Sequence, residues 1–537
     1  MITKINKTSR LMLAAALFTF HASLFTSCSL DEEPRDQIPE EEAYTTAQSL
    51  FQNTVATLYT YIGGSAEGQG LQGTIRGVYD LQTFGSDEAM LPTRGGDWYD
   101  GGLWRAMYRH SWDAGNEITK NSWLYLYKVI TLCNHSLEQI ETHKSLLNQW
   151  DLAGYTAEVR ALRAIYYWYL LDLFGNVPLI TSTDISILQV KQTPRAEVFN
   201  FLVQELQDCL PNLVIDNSAH SGNYYGRVTY PVGIFVLAKL MLNAEVYSGT
   251  PQWEKTIRCC DILEDLGFRL EENYRNNFVI HNENSKENIW TIPMDRDLYT
   301  NQQQNMFRSL HYRHAAAYGF TGENGTCATR RVLEVNGYGT DQEDNRFLLN
   351  YWVDEVYDLN DRPVYDRTGQ YLCYYPWEVA INLNGSPYLE TAGARMHKYE
   401  VDKNATKDGK LMDNDIVLFR YADVLLMRAE AKLRLTGSAT DATYGTTAQQ
   451  DYDAIRNRAD MERRPLTLQN LYDERLIELC WEGWRRQDQI RFGQYESLFE
   501  GDEFDNKIDE SDGHTTLYPI PADVLAVNHN LLQNPGY

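Results

Sequence analysis

The sequence predicts a mainly α protein: a tetratricopeptide-like helical-pair scaffold carrying a large irregular insert of loops and short strands. Three observations predict it. Long segments with apolar residues at helical spacing lie toward both ends of the chain. They mix small residues (Ala161, Ala164, Ala238, Ala429, Ala431) with aromatic ones, as paired helices that approach closely do. Between about residues 270 and 415 the pattern changes to short β-branched or aromatic runs bounded by Gly, Asn and Asp.

In chain order, residues 1–27 read as a signal peptide: Lys4, Lys7 and Arg10 precede the apolar run "LMLAAALFTF", which is too short to span a membrane as a stable helix. "LFTSCSLDEEP" follows, with Ser27 just before Cys28. This is a lipobox-like frame, and it predicts lipidation of Cys28. Residues 28–45 are acidic and carry prolines, which suits a tether. Residues 46–537 are expected to fold as one unit, with the scaffold over about 46–270 and 415–537 and the insert over about 270–415. "AEVRALRAIYYWYLLDLFGNVPLI" has Val159, Leu162, Tyr166 and Leu173 on a helical face and stops at Gly175 and Pro178. "PVGIFVLAKLMLNAEVYSG" and "YADVLLMRAEAKLRLTG" end at Gly249 and Gly437. "LYDERLIELCWEGWRRQDQIRFG" reads as one helix to Gly493, with Glu482 and Arg486 spaced to pair across a turn. In the insert, "NIWTIPM", "YLCYYPWEVAINLNG" and "RMHKYEV" read as short strands and loops.

The formal net charge is −26, and −29 without the first 27 residues, which opposes general nucleic-acid binding. The 36 tyrosines and 12 tryptophans point instead to surfaces that stack on ligands. The seven cysteines after Cys28 form no C-x-x-C pair and read as small apolar residues. "GQGLQG" matches a dinucleotide fingerprint by letter but follows no clear strand. No cofactor is called for. The oxygen-bearing loops at Asp402 and around Asp354, Asp358 and Asp361 are candidates for a loop calcium, although Lys407 stands where an EF-hand needs glycine. A glycoside hydrolase needs two carboxylates set across a sugar. Only Asp87-Glu88 and Asp97/Asp100 sit in distinctive frames.

Asp97 and Asp100 belong to "LPTRGGDWYDGGLWRAMYRHSW", where glycines flank an aromatic pair and let the backbone turn to present it. Trp104 and Trp112 lie where the pattern becomes regular again and are expected in the core. Trp123, Tyr125 and Tyr127 read as helix packing, and Arg160, Arg163, Arg485 and Arg486 as structural ion pairs.

Taken together, the frame "TSCSLDEEP", the helix "AEVRALRAIYYWYLLDLFGNVPLI", the C-terminal segments "LFRYADVLLMRAEAKLRLTG" and "ERLIELCWEGWRRQDQIRFG" and the ending "LYPIPADVLAVNHNLLQNPGY" resemble the SusD/RagB family of nutrient-binding outer-membrane lipoproteins. Asp31, Glu32 and Glu33 resemble the surface-export signal of Bacteroidetes lipoproteins. The resemblance spans the mature chain. It implies four tetratricopeptide-like helix pairs, a ligand surface on the insert and loops, and no catalysis. It also implies attachment to the outer membrane through the Cys28 lipid, facing the cell exterior, and a SusC-like TonB-dependent transporter as partner. In glycan-binding members flat aromatics form an arc along the sugar. That role carries to Trp98, which follows Asp87-Glu88, with Arg94, Asp97, Tyr99 and Asp100 around it. From the insert it carries to Tyr299, Tyr312, Tyr318, Phe320 and Asn324. The starch-binding type has Asn-Gly-Trp where this chain has Asn324-Gly325-Thr326, which argues against starch. The function implied is non-catalytic glycan binding and delivery. Peptide uptake, as in the RagB branch, is the alternative, and a lipid-anchored hydrolase the third.

Overall fold

In the computed structural model the described residues are 40–215, 222–495 and 513–537. The signal peptide, Cys28 and the tether up to residue 39 lie outside them. The last residues of the expected tether are already ordered, since Glu40–Ala43 makes one helical turn.

The scaffold is built from helices that each pack on the next. α1 (Glu117–Thr142) and α2 (Gln149–Phe174) form the longest pair. Asn116 and Asn148 cap them by accepting from the first free backbone amides. α2 is buried on every side from Ala161 to Phe174, which explains why its apolar stripe is so wide. α3 (Arg195–Cys209) packs on α2, and α4 (Tyr230–Leu242) on α5 (Trp253–Asp265). α5 then packs on α6 (Tyr421–Thr436), although more than 150 residues of chain separate them. α7 (Ala448–Arg458) and α8 (Leu468–Leu479) close on α6, and α9 (Arg485–Phe492) follows. Trp104, Trp112, Trp123 and Tyr125 are buried.

The residues between α5 and α6 contain no α-helix longer than six residues among those described. Their entry and exit are joined: β1 (Asn288–Ile292) pairs antiparallel with β2 (Ile416–Arg420), Ile292 opposite Ile416 and Asn288 opposite Arg420. The insert therefore leaves and returns through one buried strand pair.

At the end of β2 lies a buried ion network. Arg420 reaches Glu287 at 2.7 Å and Glu482 at 2.8 Å, and also pairs with Glu478. Arg346 joins Asp344, Glu474 and Glu478 at 2.6–2.8 Å. Arg456 pairs with Glu474, Arg458 with Glu287 and Glu478, and Lys398 with Glu482. Five cations thus face five carboxylates drawn from the insert, β2, α7 and α8 and the turn after α8. Burial alone would raise the Glu478 carboxyl, but Arg458, Arg420 and Arg346 hold it well below its ordinary value.

This network explains a difference from the sequence. The expected single helix through Glu482 breaks at Cys480–Trp484, where Trp481 has φ 64 and Gly483 φ 74. The break turns Glu482 inward to Arg420 and Lys398. Arg486 pairs instead with Asp172 of α2, at 3.0 Å. Arg485 holds Asp87, and Arg160 and Arg163 share Glu205, as structural pairs. Glu88 accepts from the Trp481 amide, so Asp87-Glu88 splices the N-terminal part to the α8–α9 turn. The seven described cysteines are free thiols, five of them buried and Cys259 and Cys373 half-buried.

Replacing Arg420 with Met should cost about 3–5 kcal/mol, because three buried carboxylates lose the cation they share and five carboxylates are left facing four cations. Removing the exposed Lys144–Glu141 pair should change stability by less than about 1 kcal/mol. Urea midpoints for the two variants check the contrast. Burial raises the Glu88 carboxyl to about 8, so the folded state favours its protonated form. That contribution is complete below the unfolded value near 4.5 and is lost as pH rises through about 8. Glu88→Gln should flatten the fall in melting temperature between pH 5 and pH 8.5, and raise it at the upper end.

Candidate functional site: an aromatic cleft on the insert

The "RGGDWYDGG" loop is a hairpin followed by a run of left-handed residues. Arg94 and Asp97 exchange backbone hydrogen bonds of 3.0 and 3.1 Å around Gly95, whose φ is 67. Trp98, Asp100, Gly101 and Gly102 then have φ of 60, 42, 65 and 90. An L-residue pays strain for such angles, so outside contacts must fix them. The Trp98 indole Nε1 donates to the Glu323 carbonyl at 2.8 Å, and its ring lies on Gly325 and edge-on to Trp104 at 6.2 Å. A Cβ at position 325 would lie 2.8 Å from Trp98 Cε2, so the glycine makes the seat. Asp100 accepts from the Trp104 indole at 2.8 Å and from Arg76 at 2.7 Å.

These contacts revise the expected roles. Trp98 is half-buried and docked rather than held out, and Tyr99 is the outward ring, 57% exposed. Asp100 locks the loop to the scaffold. Arg94 is buried: it donates to the carbonyls of Leu389 and Ala392 at 2.9 Å, and burial followed by repulsion from Arg395 lowers it to about 9. Arg395 is also buried and donates to the carbonyls of Ser309 and Glu390. Two guanidiniums thus hold the 389–392 backbone from behind. Phe320 packs edge-on against Phe307 in the core, and Asn324 is fully buried, so neither reaches a ligand from the surface.

Asp97 accepts a hydrogen bond from the Tyr312 hydroxyl, which joins the loop to the insert. Tyr312 stands beside a cleft of about 590 Å3, lined among others by His311, Arg367, Tyr371, Tyr375, Tyr388 and Glu390. The Arg367 guanidinium lies 5.9 Å from the Tyr312 ring centre. Burial lowers His311 to about 4, so it is neutral near pH 7. Its Nδ1 accepts from the Arg313 amide, and its Nε2–H donates to Glu390 at 3.1 Å. Tyr318 is half-buried, its hydroxyl set between His314 and the Tyr357 carbonyl. Tyr299 does not join this group and lines a different cavity.

Among the described residues eight large aromatic rings are exposed, and six of them (Tyr299, Tyr357, Tyr365, Tyr371, Tyr375, Trp377) lie in the insert. Of these only Tyr299 was expected at the site; Tyr371, Tyr375 and Trp377 lie in "YLCYYPWEV", which reads as short strands and loops, and Tyr357 and Tyr365 drew no reading. The available signal was an aromatic cluster broken by Pro376 and flanked by glycines, which is too irregular to bury every ring. In the loops named for calcium, Asp402 accepts from Arg296 and the Asn404 and Asp413 amides, and Asp358 from Arg362. Among the described residues no three His, Cys, Asp or Glu side chains come together to hold a metal ion.

Residues 286–537 match the family described as the SusD family, and residues 36–212 match one described as "Starch-binding associating with outer membrane". The chain belongs to the SusD family. The SusD-family chain is similar to the starch-binding protein SusD of Bacteroides thetaiotaomicron, 26% identical with 98% of each chain covered. It is 25% identical to a SusD-like protein, P25, of Formosa agariphila, over 78% of this chain and 79% of that one. Its fold is that of a laminarin-binding SusD-like protein (TM-score 0.69, 21% identity, 92% and 100% covered). It is likewise that of surface glycan-binding protein A from B. thetaiotaomicron, solved with laminarihexaose (TM-score 0.70, 18%, 91% and 100%). The mainly α, tetratricopeptide-like architecture of this SusD-family member agrees with these neighbours. No described helix is long and apolar enough to cross a membrane.

Gly325→Ala should push the Trp98 ring off its seat, break the bond to the Glu323 carbonyl and cost about 1–3 kcal/mol. Tryptophan emission should shift to the red, and the shift should vanish in a Trp98→Phe background.

Proposed function

We propose that this protein binds a glycan chain along the aromatic face of its insert, without altering it, and delivers it to a SusC-like TonB-dependent transporter. One observation carries the reading: the exposed rings of Tyr371 and Tyr375, with half-buried Tyr388, line one cleft together with Arg367 and Glu390. Sugar rings offer C–H faces to aromatic rings, and their hydroxyls need charged or polar partners to avoid unpaired polar groups. Tyr312 stands beside the cleft and is joined through Asp97 to the loop that carries exposed Tyr99. The starch-binding name of the relative and the glycan-binding names of the structural neighbours support the ligand class. The family description supports a place at the outer membrane. Cys28 supplies the lipid in this proposal, holding the protein at the cell exterior beside its transporter.

Affinity electrophoresis against amylopectin, laminarin, xylan and mannan tests the reading. At least one polysaccharide should retard the protein, and Tyr371→Ala/Tyr375→Ala should weaken that retardation at least tenfold. Purified protein should release no reducing sugar. Equal retardation of both forms would remove the cleft from the proposal, and no retardation on any glycan would favour peptides.

A further inference from the structure

The cavity that takes Tyr299 is built apart from the cleft. It encloses about 460 Å3 where three segments meet: the helical stretch from Phe51 to Ile62, the loop before α4, and the chain leaving β1. Its aromatic walls are Phe51, Tyr59, Tyr225 and Tyr299.

Three of these rings are fixed from behind. The Tyr59 hydroxyl donates to Glu158 at 2.6 Å. Arg227 pairs with the same carboxylate at 2.6 Å and lies over the Phe51 ring, 4.9 Å from its centre. Tyr225 donates to Asp415 and accepts from the Thr291 hydroxyl at 2.9 Å. Tyr299 is different, with 47% of its surface exposed. The Asn223 and Thr300 side chains also line the cavity and make no hydrogen bond to another described residue. The site therefore combines rigid apolar walls with an amide and a hydroxyl that bond to no other described residue, and an open ring. Its one lining cation, Arg227, is already matched by Glu158.

We infer that this cavity is a second sugar-binding site, taking one or two neutral hexose units of the same glycan class. Its volume falls in the range of about 300–1,000 Å3 usual for small-ligand sites. Flat rings beside an amide and a hydroxyl suit a sugar's C–H faces and hydroxyls. A matched Arg–Glu pair leaves no charge to attract an anion. The inference rests on the glycan reading above. It adds that one protein holds a polymer at two points, which raises the affinity for long chains well above that for short ones.

Calorimetry with maltohexaose, laminarihexaose and xylohexaose tests it. For the oligosaccharide that binds, wild type should take two molecules per chain. Tyr299→Ala/Asn223→Ala should take one, with its melting temperature unchanged, since both residues are exposed. The same variant should lose at least tenfold in retardation by the parent polysaccharide. Wild-type crystals soaked with the oligosaccharide should show sugar in both places. One molecule per chain in wild type, or sugar density at the cleft alone, overturns the second site and leaves the first reading standing. No heat with any of the three and no retardation by any polysaccharide overturns both.

Discussion

The structure depends on one buried exchange of charge. Arg420, at the last position of β2, is shared by Glu287, Glu478 and Glu482, and through them it meets Arg346, Arg458 and Lys398. Isolated ions in such a place would cost several kcal/mol each. Their mutual pairing offsets that cost only in one geometry. The network therefore works less as a source of stability than as a device that specifies which segments meet. It ties the start of the insert, its middle at Arg346 and Lys398, and the α8–α9 turn to a single point.

The cleft inherits that order. Its wall at 389–392 is held from behind by Arg94 and Arg395, which bond to carbonyls rather than to carboxylates. The RGGDWYDGG loop is held by Trp98 on Gly325 and by Asp100 between Arg76 and Trp104. Irregular backbone becomes a firm platform because each turn is pinned by a specific side chain. The rings left over at the surface are then free for a ligand.

Periodicity made the scaffold legible in the sequence. α2 and α6 stop at the glycines that mark them, whereas α4 ends at Leu242 and a separate short helix, Ala244–Ser248, reaches the expected Gly249; the tryptophans expected in the core are there. The break at Cys480–Trp484 was not legible, because its cause is Glu88 and Arg420, distant residues that capture the Trp481 amide and the Glu482 carboxylate. The glycine-framed loop was legible as a unit, and the structure joins it through Asp97 to Tyr312 beside the cleft, yet Arg94 and Asp100 proved to be internal ties. The aromatics of 357–377 were missed because no period distinguishes an exposed tyrosine in a loop from a buried one in a short strand. Tyr299 was singled out for its residue type, and only tertiary packing moved it to a separate cavity.

The pairing of β1 with β2 has an evolutionary reading. A segment whose two ends leave through one strand pair is a cassette. A change in the length of its exposed loops leaves the α5–α6 contact in place, since those helices already meet beneath it. The boundary that such exchange must respect is chemical: Glu287, Arg346, Lys398 and Arg420 form a lock that any replacement cassette has to fit.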